Sequence, residues 1–337
     1  MTARHSLMLL AAVAGLLGIV AVAFSVGRYP VAFPDLLRVL WSWLGGGEHG
    51  LDPTIETVVL QIRGPRVIAA LLVGASLAAA GAAYQNLFRN PLVSPDILGV
   101  SSGAAVGAVL GIFLSLGIVA IQSMALAGGL AAVALVYVVA RAVRGHDPLL
   151  VLVLAGVVLG SLLGAFVALM KYLADPYNQL PAITFWLLGS LASVDPRDLW
   201  VAGPLMLAGL LPLWLLRWRI NVLSLDDEEA RALGVSTVRI RLVVIVGATL
   251  MTSAAVAISG VIGWIGLVIP HFARLITGPD FSRLLPVSAL LGAVFLVAVD
   301  TLARTIASIE VPLGVLTAFI GTPLFLWQLA SARRGWQ

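Results

Sequence analysis

The residues best equipped for chemistry lie together between positions 221 and 241, in the stretch NVLSLDDEEARALGVSTVRIR. Asp226, Asp227, Glu228 and Glu229 are consecutive acids, and Arg231, Arg239 and Arg241 follow closely. Interleaved carboxylates and guanidiniums form ion pairs and charge-assisted hydrogen bonds. They break no covalent bond without a nucleophile or a metal beside them. The pattern predicts two short helices. Ser224-Leu225-Asp226 opens one, acids fill its first turn where the helix dipole favours them, and Gly234 stops it. Long apolar stretches flank this island, so it stands in water as a structured loop able to touch a partner.

Bond-making groups are scarce elsewhere. The histidines are His5, His49, His146 and His271, all in loops or at helix ends, and there is no cysteine. H-E-x-x-H does not occur, and no G-x-x-x-x-G-K-[ST] phosphate loop is found. No catalytic residue, metal site or cofactor is therefore expected in this chain. An intramembrane enzyme would need a paired nucleophile or metal set. An ion-coupled carrier would need ionisable residues in mid-span, whereas Asp300 and Lys171 lie near helix ends.

The elements that must position the island are membrane spans. Of 337 residues, 61% are hydrophobic and 11% charged, against about 25% charged in soluble domains. Such a chain reads as a single all-α polytopic membrane domain, 1–337. At roughly 20 residues per span it holds about ten transmembrane helices. They fall near 7–27, 66–86, 97–117, 120–140, 149–171, 198–217, 241–258, 261–276, 284–304 and 312–330, with Ser259-Gly260 and Gly263 turning the chain between the seventh and eighth. Leu7 to Val26 is too long for a signal-peptide core and reads as a retained span. With both termini inside, thirteen basic residues face the cytoplasm and seven face out, as the positive-inside rule requires. The island is then cytoplasmic. The pI near 10 reflects this topology and implies no nucleic-acid partner.

Two outer segments depart from the pattern. Residues 28–61 carry Trp41 and Trp43 and suggest an amphipathic interfacial helix. Residues 175–197 hold an apolar core, Ile183 to Leu191, too short to span, which predicts a short re-entrant helix. Gly99, Gly103, Gly107 and Gly111 recur every four residues and suit close helix packing within the molecule.

Five motifs run in order along the chain: QIRGPR at 61–66, YQN at 84–86 with RNPLVSPDILG at 89–99, EARALG at 229–234, GWIGLVIPHFAR at 263–274, and EVPLG with GTPLF at 310–314 and 321–325. Together they resemble the FecCD-type permease family, over nearly the whole chain. The resemblance implies a ten-helix permease subunit of a type II ABC importer for ferric siderophores, haem or cobalamin, in a bacterial or archaeal inner membrane. It implies a homodimer, two ATPase subunits that use ATP and Mg below, and a substrate-binding protein above. It assigns Asp226, Asp227, Glu228, Glu229, Ala230, Arg231, Leu233 and Gly234 to a loop, 221–241, that couples to the ATPase. It assigns Arg63, Arg66 and Arg304 to binding-protein docking. Met170, Asn178, Gln179 and Trp186 become candidates for the outer mouth of the pathway. Tyr84, Gln85 and Asn86 read as capping the inner end of the second span rather than binding cargo.

Overall fold

Backbone amides in hydrocarbon must be satisfied within their own segment, which favours helices. The computed structural model describes residues 3–47, 50–143 and 148–332, and every regular element among them is helical. Arg144, Arg333, Arg334, His49 and His146 lie outside the described residues. In chain order the helices are α1 (Ala3–Ser25), α2 (Phe33–Trp43), α3 (Pro53–Leu87), α4 (Val100–Phe113), α5 (Ile118–Ala142), α6 (Pro148–Leu173) and α7 (Gln179–Leu188). There follow α8 (Pro196–Leu215), α9 (Arg217–Val222), α10 (Asp227–Ala232), α11 (Thr237–Ser259), α12 (Ile265–Thr277), α13 (Phe281–Thr305) and α14 (Leu313–Ala332). Six of them, α3, α5, α6, α8, α11 and α13, are long and apolar enough to cross a membrane.

Helices α3 and α11 form the centre. In each, 78% of the most apolar stretch is buried, against 17% in α6. Around α3 pack α13, α11, α12 and α8. Glycine permits the closest of these approaches: a Cβ on Gly81 would fall 1.9 Å from the Gly266 carbonyl oxygen of α12. The four-residue glycine spacing seats α4 on α5, with a Cβ at Gly107 meeting the Met124 oxygen at 1.9 Å. That stripe is internal packing.

Three boundaries differ from the sequence expectation. The second span starts at Pro53 rather than near 66. Asp52 caps it, its Oδ1 accepting from the Thr54 amide at 2.7 Å, and hydrogen bonding from the Thr54 side chain, then from this amide, holds the Asp52 carboxyl below its ordinary pKa. A π-helical turn over Thr57–Arg63 then carries the helix onward. The helical part of the third is α4 alone, preceded by a 3₁₀ turn at Pro95–Leu98 and by left-handed Gly99. The helical part of the eighth begins only at Ile265, after the non-helical stretch 260–264. Helix α2 buries Leu36 and Val39 and leaves Trp41 and Trp43 exposed, the sidedness of an interfacial helix.

Candidate transport sites

The charged island holds one short helix of its own, α10, between the end of α9 and the start of α11, and its backbone is anchored on three sides. Arg89, in the turn after α3, donates from Nε to the Leu223 carbonyl at 3.0 Å and from Nη1 to Asp226 Oδ1 at 3.0 Å. Its Nη2 donates to the Leu225 carbonyl. Arg241 of α11 pairs with Asp227 at 2.6 Å. The Asn221 side chain accepts from the amide of buried Phe281, at the start of α13, at 3.0 Å. Asp226 precedes α10 but caps no amide, because Arg89 holds its carboxylate. Gly234, at φ +76°, ends the element. The Val235 amide then donates to Ala230 O at 3.0 Å and the Gly234 amide to Arg231 O at 2.9 Å, the pairing of a Schellman cap.

Ala230 and Val235 are buried in the main core. Glu228, Glu229, Arg231 and Leu233 are exposed. No carboxylate pairs with Arg231 among the described residues; its Nε donates to the carbonyl of Asp227. The assigned residues therefore divide. Asp226, Asp227, Ala230 and Gly234 build the loop, while Glu228, Glu229, Arg231 and Leu233 form its free face. Arg89, Asn221 and Arg241 were missed as supports. Their partners lie far off in sequence, and only the placement of Arg89 at a helix break hinted at a role.

At the opposite end, the arginines assigned to binding-protein docking lie largely inside the fold. Arg63 is 4% exposed and Arg66 8%. Arg66 donates to Asp300 from Nε at 2.9 Å and from Nη2 at 2.7 Å, and from Nη1 to Glu310 at 3.0 Å. Arg304 approaches Asp300 at 3.3 Å and donates to the Ala23 carbonyl at 3.0 Å. Arg63 donates to the carbonyls of Phe24 and Tyr29. A buried guanidinium needs acceptors on most of its N–H groups. The last carbonyls of α1, which have no partner within their own helix, supply one each to Arg63 and Arg304. The three arginines thus tie α1, α3 and α13 together, and they also line a cavity of about 520 Å³ with Tyr29, Ile309 and Glu310.

A larger cavity, about 700 Å³, opens where α7, the stretch 260–264 and α14 meet. Leu187, Leu188, Trp264, Val315, Ala318 and Phe319 line it, and among the described residues no ionisable side chain does. The irregular backbone here is satisfied: the Ser190 amide donates to Ser259 O at 2.9 Å and the Leu313 amide to Gly189 O at 3.0 Å. Gly260, at φ +66°, leaves room for the Trp186 carbonyl, which a Cβ would meet at 2.3 Å.

The four mouth candidates stand elsewhere. Met170 packs with Ile183 and Val109. Gln179 donates to Phe113 O at 2.8 Å and accepts from the Asp175 amide at 3.1 Å. Asn178 is exposed, and Trp186 packs against the α4–α5 contact. Successive helical residues point about 100° apart, so Trp186 and Leu187 face different neighbours. Near the island, Tyr84 bonds Thr249 at 3.0 Å and Gln85 donates to Leu267 O at 3.1 Å. That ties the end of α3 into the fold.

The chain matches the FecCD transport family over residues 13–331. It belongs to that family. It is 39% identical to the molybdate import system permease MolB of Haemophilus influenzae, over 93% of this chain and 92% of that protein. It is 41% identical to the Fe(3+) dicitrate permease FecD of Escherichia coli, over 94% of this chain and 96% of that one. Its fold aligns, with a TM-score of 0.86 and 37% identity over 96% of this chain and 99% of the other, to a protein described as a metal-chelate-type ABC transporter in an inward-facing conformation. This FecCD permease is the multi-pass membrane subunit of an ABC importer, and separate subunits hydrolyse the ATP.

Proposed function

We propose that two copies of the chain form the membrane core of an inner-membrane importer for a metal chelate. Two ATPase subunits seat on α10 from the cytoplasm, where both termini also lie, and they alone use ATP and Mg. The observation that carries this reading is the split character of the island: Glu228, Glu229, Arg231 and Leu233 are free, while Arg89 and Arg241 brace the helix that bears them. A braced helix can transmit a rigid-body push to α9 and α11, which flank it, and through α9 to α8. Ten crossings, with α7 re-entrant, keep the island and both termini on one side. A substrate-binding protein docks over the far end. Its carboxylates reach Arg63, Arg66 and Arg304 by entering the cavity they line.

The uncharged wall beside α7 and α14 supports a bulky chelate as cargo, since a weakly interacting surface lets a large solute pass. Replacing Glu229 and Arg231 together by alanine tests the reading. Both side chains are exposed, so the expected outcome is a folded permease that no longer couples ATP hydrolysis to uptake. Wild-type uptake by this variant, or failure of the wild-type chain to co-purify an ATPase subunit from its native membrane, would overturn it.

A further inference from the structure

The groove between α5, α6 and α11, at the island end, takes no part in the transport reading. It is a cavity of about 290 Å³ whose wall includes Tyr137, Arg141, Leu152, Val238, Arg241 and Ile245. Its upper part is apolar. Val238, Leu242 and Val246, four residues apart along α11, carry exposed side chains away from the island and share one face. Its floor is basic. Arg141 lies over the Tyr137 ring at 5.1 Å and has no carboxylate partner among the described residues. Arg241 gives one Nη to Asp227 at 2.6 Å, yet its Nε is buried without an acceptor. Such a donor is costly unless an acceptor arrives. The neighbouring charges do not supply one, because Arg89 and Asp226 satisfy each other. Among the described residues, the groove therefore keeps about one positive charge beneath an apolar slot.

We propose that this groove binds one anionic glycerophospholipid of the leaflet on the island side. Its phosphate oxygens accept from Arg241 Nε and from Arg141, and an acyl chain lies along Val238, Leu242 and Val246. Basic pockets between transmembrane helices hold anionic headgroups in this way. The bound phosphate would touch the arginine that braces Asp227 of α10, so the lipid reaches the helix proposed to meet the ATPase. Only the assignment of the leaflet to the cytoplasmic side rests on the function proposed above. Lipid retention is read without ATPase or cargo, so its failure is separable from failure of the transport reading.

The test reconstitutes the full-length chain in nanodiscs of equal parts phosphatidylglycerol and phosphatidylcholine. Native mass spectrometry then counts lipids retained after transfer to detergent. Phosphatidylglycerol should be retained in preference. Arg141→Gln, at an exposed position that preserves the fold, should lower that retention about fivefold, one surface charge's contribution. Equal retention of both lipids, or unchanged retention in Arg141→Gln, would overturn the proposal. So would displacement by inorganic phosphate, which marks a free-anion site, or absence of any lipid in a dimer whose second copy fills the groove.

Discussion

Asp300 is the most buried acidic side chain among the described residues, and Arg66 touches it with two nitrogens while also holding Glu310. Truncating one partner of a buried pair leaves the other desolvated and unpaired, at a cost of about 3–5 kcal/mol. Arg66→Ala should lower thermal stability in detergent on that scale, softened by Arg304 at 3.3 Å from the same carboxylate. A loss below about 1 kcal/mol would mean that this cluster behaves like an exposed ion pair. At this scale the sequence was only partly legible. The Asp300–Arg304 pair lies one helical turn apart and could be read directly. The Arg66–Asp300 contact joins residues 234 positions apart, and no local pattern announces it.

The same long-range pairing explains the element that was mis-bounded. Arg63 and Arg66 read as a boundary between water and membrane because charge is expensive in hydrocarbon. Here their charge is met inside the protein, so α3 runs past them from Pro53 and its first turns lie beside Val31, Leu36 and Val39. Helix α2 was legible from its tryptophans, and α7 from an apolar run too short to span. The faces of α7 were not legible, because its residues are apolar all round and periodicity cannot choose among them. Helix contacts also decide which glycines matter. Gly81→Ala forces a methyl into the backbone of α12 at 1.9 Å, whereas Gly15 has nothing within 4 Å. Gly81→Ala should therefore lower the melting temperature sharply, and Gly15→Ala should leave it level or raise it, adding at most about 1 kcal/mol of helix propensity. Equal melting temperatures for the two variants would show that α3 and α12 can separate without loss.

For the whole molecule, the telling feature is the apolar surface the chain presents outward. Helix α6 buries 17% of its most apolar stretch, and Phe319 on α14 is 73% exposed beside the large cavity. Lipid alone could cover these faces, but a second copy would also close the cavity. The chain contains no cysteine, so one introduced thiol reports cleanly. Phe319→Cys should give a disulfide-linked dimer in native membranes, and Val138→Cys on α5 should not. Monomer alone from Phe319→Cys would place the cavity on a lipid-facing surface.

The absence of ionisable groups from that cavity wall has an electrical consequence. Moving one elementary charge through the membrane potential involves about 2.3 kcal/mol per 100 mV. Rearranging α7 and α14 around the cavity carries no such charge, so a voltage across the bilayer exerts no work on the walls. Uptake of a neutral chelate into proteoliposomes should run at one rate whether the interior is held positive or negative with potassium and valinomycin. A charged cargo should show only the voltage dependence of its own charge, which would make the slope of rate against potential a reading of cargo valence.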